Sequence, residues 1–154
     1  MDSIELNNIA TKLKLKDFLG VFAVDELRQI PTKKCGMLIY NTDTSEKKGQ
    51  HWIALCISQE NIFYFDSLNH DFIFISDAAK FFVRIKKNLF YNKIKTQPSD
   101  SNTCGVHCIA FCAFMSTEMS KERFANFLKT YIPFNVEERD KLVSLYVTNK
   151  MLTN

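Results

Sequence analysis

The run from Gly105 to Met115 constrains this chain more than any other. It reads Gly-Val-His-Cys-Ile-Ala-Phe-Cys-Ala-Phe-Met, apolar nearly all round a helical wheel, with His107 as the exception. A helix without a polar face has no side to give to water, so it must sit centrally and be covered by other elements. Ahead of it lies a polar, turn-rich segment, Gln97-Pro98-Ser99-Asp100-Ser101-Asn102-Thr103, and Cys104-Gly105 stands at the junction. The pattern predicts a loop over 97–103, a buried helix over 105–115 and a cysteine at the helix mouth.

That place matters for a thiol. An ordinary cysteine, with a pKa of about 8.5, is only a few per cent thiolate at neutral pH, and the thiolate is the nucleophile. Free backbone N–H groups and the positive end of the helix dipole lower the pKa there. Cys104 is therefore the candidate nucleophile. The other cysteines, Cys35, Cys56, Cys108 and Cys112, lie in apolar settings and read as small core residues.

What must cover the central helix is legible in part. Residues 3–16 carry an apolar stripe, Ile4, Leu6, Ile9, Ala10 and Leu13, behind a cap at Asp2 or Ser3, and read as a helix. Residues 18–24 read as an apolar connection and 28–34, with Pro31, as a loop. Three strands are expected, over 35–41, 51–58 and 61–67, the last two rich in Ile, Phe and Tyr around a short polar turn. A helix over 77–90, a strand over 91–96 and helices over 120–131 and 136–151 complete the reading. Helices segregated from strands indicate an α+β fold, with a mixed or antiparallel sheet packed against the nucleophile-bearing helix.

With 154 residues, 46% of them apolar and 24% charged, the chain suits one globular domain spanning 1–154. Fourteen phenylalanines imply an aromatic core or an apolar surface for a partner. The opening Met1-Asp2-Ser3-Ile4-Glu5 does not resemble a signal peptide, and no apolar run approaches a membrane span. The five cysteines are then expected to be reduced thiols in a cytosolic or nuclear setting. A net charge of +3 is mild, but Arg84, Lys86, Lys87, Lys93 and Lys95 cluster in sequence and form a candidate DNA-binding patch, against the plainer reading of a solvated face.

Strand pairing supplies partners for the thiol. With a two- or four-residue turn between strands 51–58 and 61–67, Asp66 faces Ile53. His51 is then its diagonal neighbour on the same sheet face, within reach. A carboxylate there orients an imidazole and holds its tautomer. A three-residue turn would send Asp66 to the other face. His51 is the candidate base and Asp66 its orienting acceptor. The Cys104 N–H and the Gln97 side-chain amide are the candidate oxyanion donors, and Gly105 lets backbone approach a substrate. His107, three residues after Cys104 on the same helix, is a rival base. Cys104, His107 and Cys108 offer part of a zinc ligand set without a CxxC pair to complete it. His70, in the polar turn beyond Asp66, reads as solvated.

These residues also resemble a family. His51-Trp52, then Tyr64-Phe65-Asp66, then Gln97 with Cys104-Gly105 following seven residues later, is similar to the adenovirus-type cysteine proteases (adenain), as in adenoviruses, virophages and Polinton-like elements. Upstream, Leu19-Gly20-Val21-Phe22 and Cys35-Gly36-Met37-Leu38-Ile39-Tyr40-Asn41-Thr42 resemble the segments preceding the family's histidine. The likeness spans residues 5–116 and implies a papain-like-superfamily fold with His51 as base, Asp66 as acid, Gln97 as oxyanion donor and Cys104 as nucleophile. Adenovirus enzymes mostly carry Glu where this chain has Asp66.

The resemblance implies a monomeric maturation endopeptidase. It would cleave viral capsid or precursor proteins, next to small residues such as glycine, in the virion or at the site of assembly in the host cytoplasm or nucleus. DNA and a viral peptide are the family's activators. Lys86 stands where those enzymes bond the peptide through a cysteine, so a disulfide-linked activator is not expected. No cofactor is required for the chemistry. Two rival functions share the sequence features: an isopeptidase acting on ubiquitin-like modifiers, and an inactive capsid- or nucleic-acid-binding module.

Overall fold

The computed structural model describes residues 1–70 and 76–153. Five strands form one mixed sheet in chain order: β1 (Phe18–Ala23), β2 (Gly36–Asn41), β3 (Trp52–Ile57), β4 (Asn61–Phe65) and β5 (Asn88–Tyr91). The outer pairs β1·β2 and β4·β5 are parallel, and the inner pairs are antiparallel. The helices are α1 (Ser3–Lys12), α2 (Ser76–Ile85), α3 (Cys104–Met115), α4 (Lys121–Lys129) and α5 (Val136–Thr153). The fold is α+β, as expected.

The central strands are buried on both faces, which is why they read as continuous apolar runs rather than alternating ones. On one face, Met37, Ile39, Ala54, Cys56, Phe63 and Phe65 pack against α1, α3, α4 and α5. Leu38, Tyr40, Ile53, Leu55, Ile62 and Tyr64 on the other face meet α2 and a short 3₁₀ segment, Val24–Gln29. The sequence suggested one covered face; the amphipathic α2 supplies the second. Much of the phenylalanine content is core. Phe65 stacks on Phe111 at 5.2 Å between ring centroids, and Phe127 meets both edge-on. Such aromatic pairs each contribute about 0.5–1.5 kcal/mol beyond burial.

Several expected boundaries move, each for a local reason. The first helix stops at Lys12 instead of running to 16, because Lys14 and Asp17 take left-handed backbone (φ 51° and 58°) to turn the chain into β1. Its start is as read: Asp2 and Glu5 form a reciprocal capping box. Residues 18–23 are a strand, not a connection. The close approach that pairs β1 with β2 depends on Gly36 (φ +142°), where a Cβ would lie 2.5 Å from the Asp17 carbonyl oxygen. The helix expected over 77–90 ends at Ile85, since Lys86 is left-handed (φ 53°), and β5 therefore occupies Asn88–Tyr91 rather than 91–96. Among the described residues no helix is long and apolar enough to cross a membrane.

Candidate active site

The β3–β4 hairpin has the two-residue turn, Gln59-Glu60, and Ala54 pairs Phe65, Leu55 pairs Tyr64, and so on to Ile57 with Ile62. One step further, Asp66 falls opposite Ile53, with His51 on its diagonal. The two side chains meet: His51 Nε2 lies 2.6 Å from Asp66 Oδ1, and both are buried. With Nε2 committed to the carboxylate, Nδ1 is the nitrogen left for the Cys104 thiol, with which the imidazole interacts.

Asp66 is held from several sides. Its Oδ1 also accepts the Leu68 N–H (2.8 Å) and its Oδ2 the His70 N–H (2.8 Å). Asn92 accepts the Asp66 backbone N–H (2.9 Å) and donates to the Asp66 carbonyl (2.7 Å), clamping the residue where β4 ends. Asn92 escaped the sequence reading because it is distant in the chain and carries no motif. His70 is largely exposed, as expected, yet its ring stands edge-on to His51 at 5.5 Å. His51, Asp66 and His70 form a group whose possible metal-ligand atoms lie within 4.8 Å of one another. The Asp66 oxygens in that group are already used by His51 and by backbone N–H groups.

The charges in this cluster favour an ion pair. Burial alone would hold the His51 imidazole neutral, but Asp66 and the Cys104 sulfur outweigh it and raise its pKa to about 9. Burial likewise resists ionisation of Cys104. His51 and the N–H groups of Trp52 and Gly105 overcome it and bring the thiol below its ordinary value. Asp66 also stays below the usual carboxylate value despite burial, through His51 and the His70 and Leu68 N–H groups. The other sulfurs of the central helix behave oppositely: burial pushes Cys108 and Cys112 well up, and Cys56 on β3 to about 12.

The donors for a developing oxyanion are also arranged. Cys104 opens α3, so its N–H is one of the first four that have no intrahelical acceptor. Gln97 is buried and lines the same cleft as Cys104. Its Oε1 accepts from Ser67 Oγ (2.7 Å) and its Nε2 donates to the Ser101 carbonyl (2.6 Å). A carbonyl only accepts, so this contact fixes which end of the amide is nitrogen, and the second N–H remains for the cleft. Gly105 also has a packing role that the sequence did not suggest. A Cβ there would lie 3.0 Å from Met1 Sδ and 3.1 Å from Leu6 Cδ2, so its smallness admits α1 against α3.

The cleft, about 930 Å³, runs between the first turn of α1, the 44–50 loop with Lys47 and Lys48, and the 97–103 loop. Trp52 lines it and donates from Nε1 to the Met1 carbonyl (3.1 Å). His107, the rival base, points away: Nε2 meets Asp140 (2.8 Å) and Nδ1 meets Thr96 (3.1 Å). With both nitrogens engaged there, it does not combine with Cys104 and Cys108 as a ligand set.

The basic residues divide. Arg84 donates to the carbonyls of Leu27, Arg28 and Ile30, and Lys87 to that of Ser58. Arg84, Lys86 and Lys87 lie before β5, near Lys33, whereas Lys93 and Lys95 follow it.

No protein-family model matches the chain, and no curated protein matches it in sequence. Among solved structures it is similar to ChlaDub1 from Chlamydia trachomatis, at 14% identity and a TM-score of 0.48, over 94% of this chain and 76% of that one.

Proposed function

We propose that this chain is a cysteine endopeptidase of papain-like fold that cleaves viral capsid or precursor proteins during particle maturation. One observation carries the hydrolase reading: Cys104, at the N-terminus of a buried helix, faces a His51 that is itself held by the buried Asp66. The viral role draws on the resemblance of His51-Trp52, Asp66, Gln97 and Cys104-Gly105, in that order and spacing, to the adenovirus-type proteases.

The mechanism follows from the geometry. The Cys104 thiolate attacks the scissile carbonyl carbon, and the Cys104 N–H and Gln97 Nε2 receive the charge on its oxygen. The His51 imidazolium gives its proton to the leaving amine, and the acyl group remains on sulfur. His51, now neutral, takes a proton from water, whose oxygen attacks the thioester and frees the acid and Cys104. Asp66 orients the ring throughout and stabilises its charged form. DNA as activator is part of the proposal. Since Arg84 and Lys87 serve backbone carbonyls and Lys95 donates to Ser99 Oγ, a duplex would be met first by Lys86 and Lys93.

The test is to incubate the protein with capsid precursors from the same genome and to map new termini. Cuts that vanish in Cys104→Ala are the expected result. Precursors left intact while a ubiquitin-like-modifier conjugate is cleaved would replace the viral role with an isopeptidase. A wild-type protein in which Cys104 reacts no faster with iodoacetamide than Cys108 would overturn the enzymatic reading.

A further inference from the structure

A second polar cluster, buried at His107 and Thr96 and half-buried at Asp140, Ser101 and Thr103, lies behind the oxyanion loop and takes no part in the proposed reaction. His107, fully buried on α3, bridges Asp140 of α5 and Thr96 at the near end of the 97–103 loop. Asp140 also accepts from Ser101 Oγ (3.1 Å) and from Thr103 Oγ1, and those two hydroxyls lie 2.7 Å apart. One carboxylate on the last helix thus holds the loop at Ser101 and Thr103 directly, and at Thr96 through an imidazole.

Two consequences bear on the oxyanion donors. Gln97 lies between the held points. Its Nε2 is aimed by the carbonyl of Ser101, and the N–H groups of Thr96 and Gln97 both donate to the Ser67 carbonyl. Thr103 occupies the N-cap of α3, where a threonine hydroxyl ordinarily accepts from the N–H groups of the first turn. Here it makes no such bond and is turned to Asp140 instead. That leaves the first-turn N–H groups to the Cys104 sulfur and to the cleft.

We propose that Asp140, acting through His107, Thr96, Ser101 and Thr103, is a positioning residue for the oxyanion hole, so that the seating of α5 sets the rate of acyl transfer. The inference rests on the hydrolase reading. Its test separates two reactions of the same sulfur. Alkylation by iodoacetamide displaces iodide and develops no oxyanion; acylation by p-nitrophenyl acetate passes through a tetrahedral oxyanion and releases p-nitrophenolate.

In Asp140→Leu, acylation should fall by about tenfold or more, approaching the 10²–10³ expected when a donor is lost outright. Alkylation of Cys104 should fall far less than acylation, because only the release of Thr103 reaches its sulfur, and Asp140→Asn, which retains an acceptor, should recover most of the acylation. In a Gln97→Ala background, Asp140→Leu should cost less than it does alone, because the two act through one donor. Should Asp140→Leu fail to fold, Thr96→Val removes the His107 link together with a long contact to the Ser67 carbonyl (3.5 Å), leaves Asp140, Ser101 and Thr103 in place, and reads the same split. Acylation and alkylation falling together, or acylation unchanged in a folded variant, would overturn the inference. A wild-type protein that alkylates but does not acylate would instead refute the hydrolase reading on which it stands.

Discussion

Two histidine–aspartate pairs among the described residues behave in opposite ways: His51–Asp66 is buried on both sides, whereas His107 is buried against a half-buried Asp140. His51 and Asp66 meet at 2.6 Å, His107 and Asp140 at 2.8 Å. The first imidazole is raised to a pKa of about 9. For the second, burial outweighs the carboxylate and lowers it. What differs is the third partner. His51 has Cys104 on its other side, a group that can give up a proton and become an anion; His107 has Thr96, a neutral hydroxyl. A histidine–aspartate contact alone therefore marks neither a catalytic base nor a charge. One pair lies against a sulfur and lowers its pKa, and the other ties a loop to two helices.

The largest expected differences come from cutting the first pair. Cys104→Ala should abolish hydrolysis, and His51→Ala should lower kcat by on the order of 10⁴ or more, as loss of a member of a catalytic triad does. His107→Ala should retain measurable turnover. A variant series in which His107→Ala is dead and His51→Ala is active would reverse the comparison. Gln97→Ala comes next, with a loss of about 10²–10³ in kcat and Cys104 still labelled by iodoacetamide.

Rate against pH sharpens the contrast. The active form needs thiolate and imidazolium together, so kcat/KM should rise as Cys104 ionises and fall as His51 loses its proton near pH 9. In Asp66→Asn the imidazolium loses its supporting anion, so the alkaline limb should move to lower pH while the protein remains folded. An alkaline limb that stays in place in that variant would exclude Asp66 from supporting the charge.

The smallest effect is on stability. His107 is held below the ordinary imidazole value of about 6.5, so the unfolded chain binds more protons in the window just beneath it. Its contribution is complete above that value and is lost as pH falls toward its folded value. Thermal unfolding of the wild type from pH 7 to 5 should therefore decline more than that of His107→Gln, by a difference on the order of 1 kcal/mol. The His51–Cys104 pair should add little slope near neutrality, because the proton the imidazole gains is the one the thiol gives up. Equal slopes for wild type and His107→Gln would show that His107 does not titrate as assigned.

Legibility in the sequence followed how local each cause was. The turn at Gln59-Glu60 fixes the hairpin register, and the register brings Asp66 to His51, so turn length and strand alternation suffice to argue that contact. The cysteine at the mouth of α3 was equally plain, because a polar run ends where an all-apolar helix begins. β1 was missed because residues 18–23 become a strand only by pairing with β2, and the approach at Gly36 that permits it is invisible in the sequence. The start of β5 was hidden inside a helical pattern that breaks at Lys86, a residue with no turn signature.

The sequence by itself determined the apolar helix, the cysteine at its N-terminus and, for an even-numbered turn, the histidine–aspartate register. Each depends on periodicity, dipole or turn length within a short span of chain. Only the tertiary structure decided which histidine faces the thiol. By spacing, His107 was as near to Cys104 as a base need be. Its nitrogens are taken by Thr96 and by Asp140 on the last helix, and His51 reaches the thiol because β3 packs against α3. Hydrogen-bond partners across such distances in the chain are chosen by packing, and packing is a property of the whole fold.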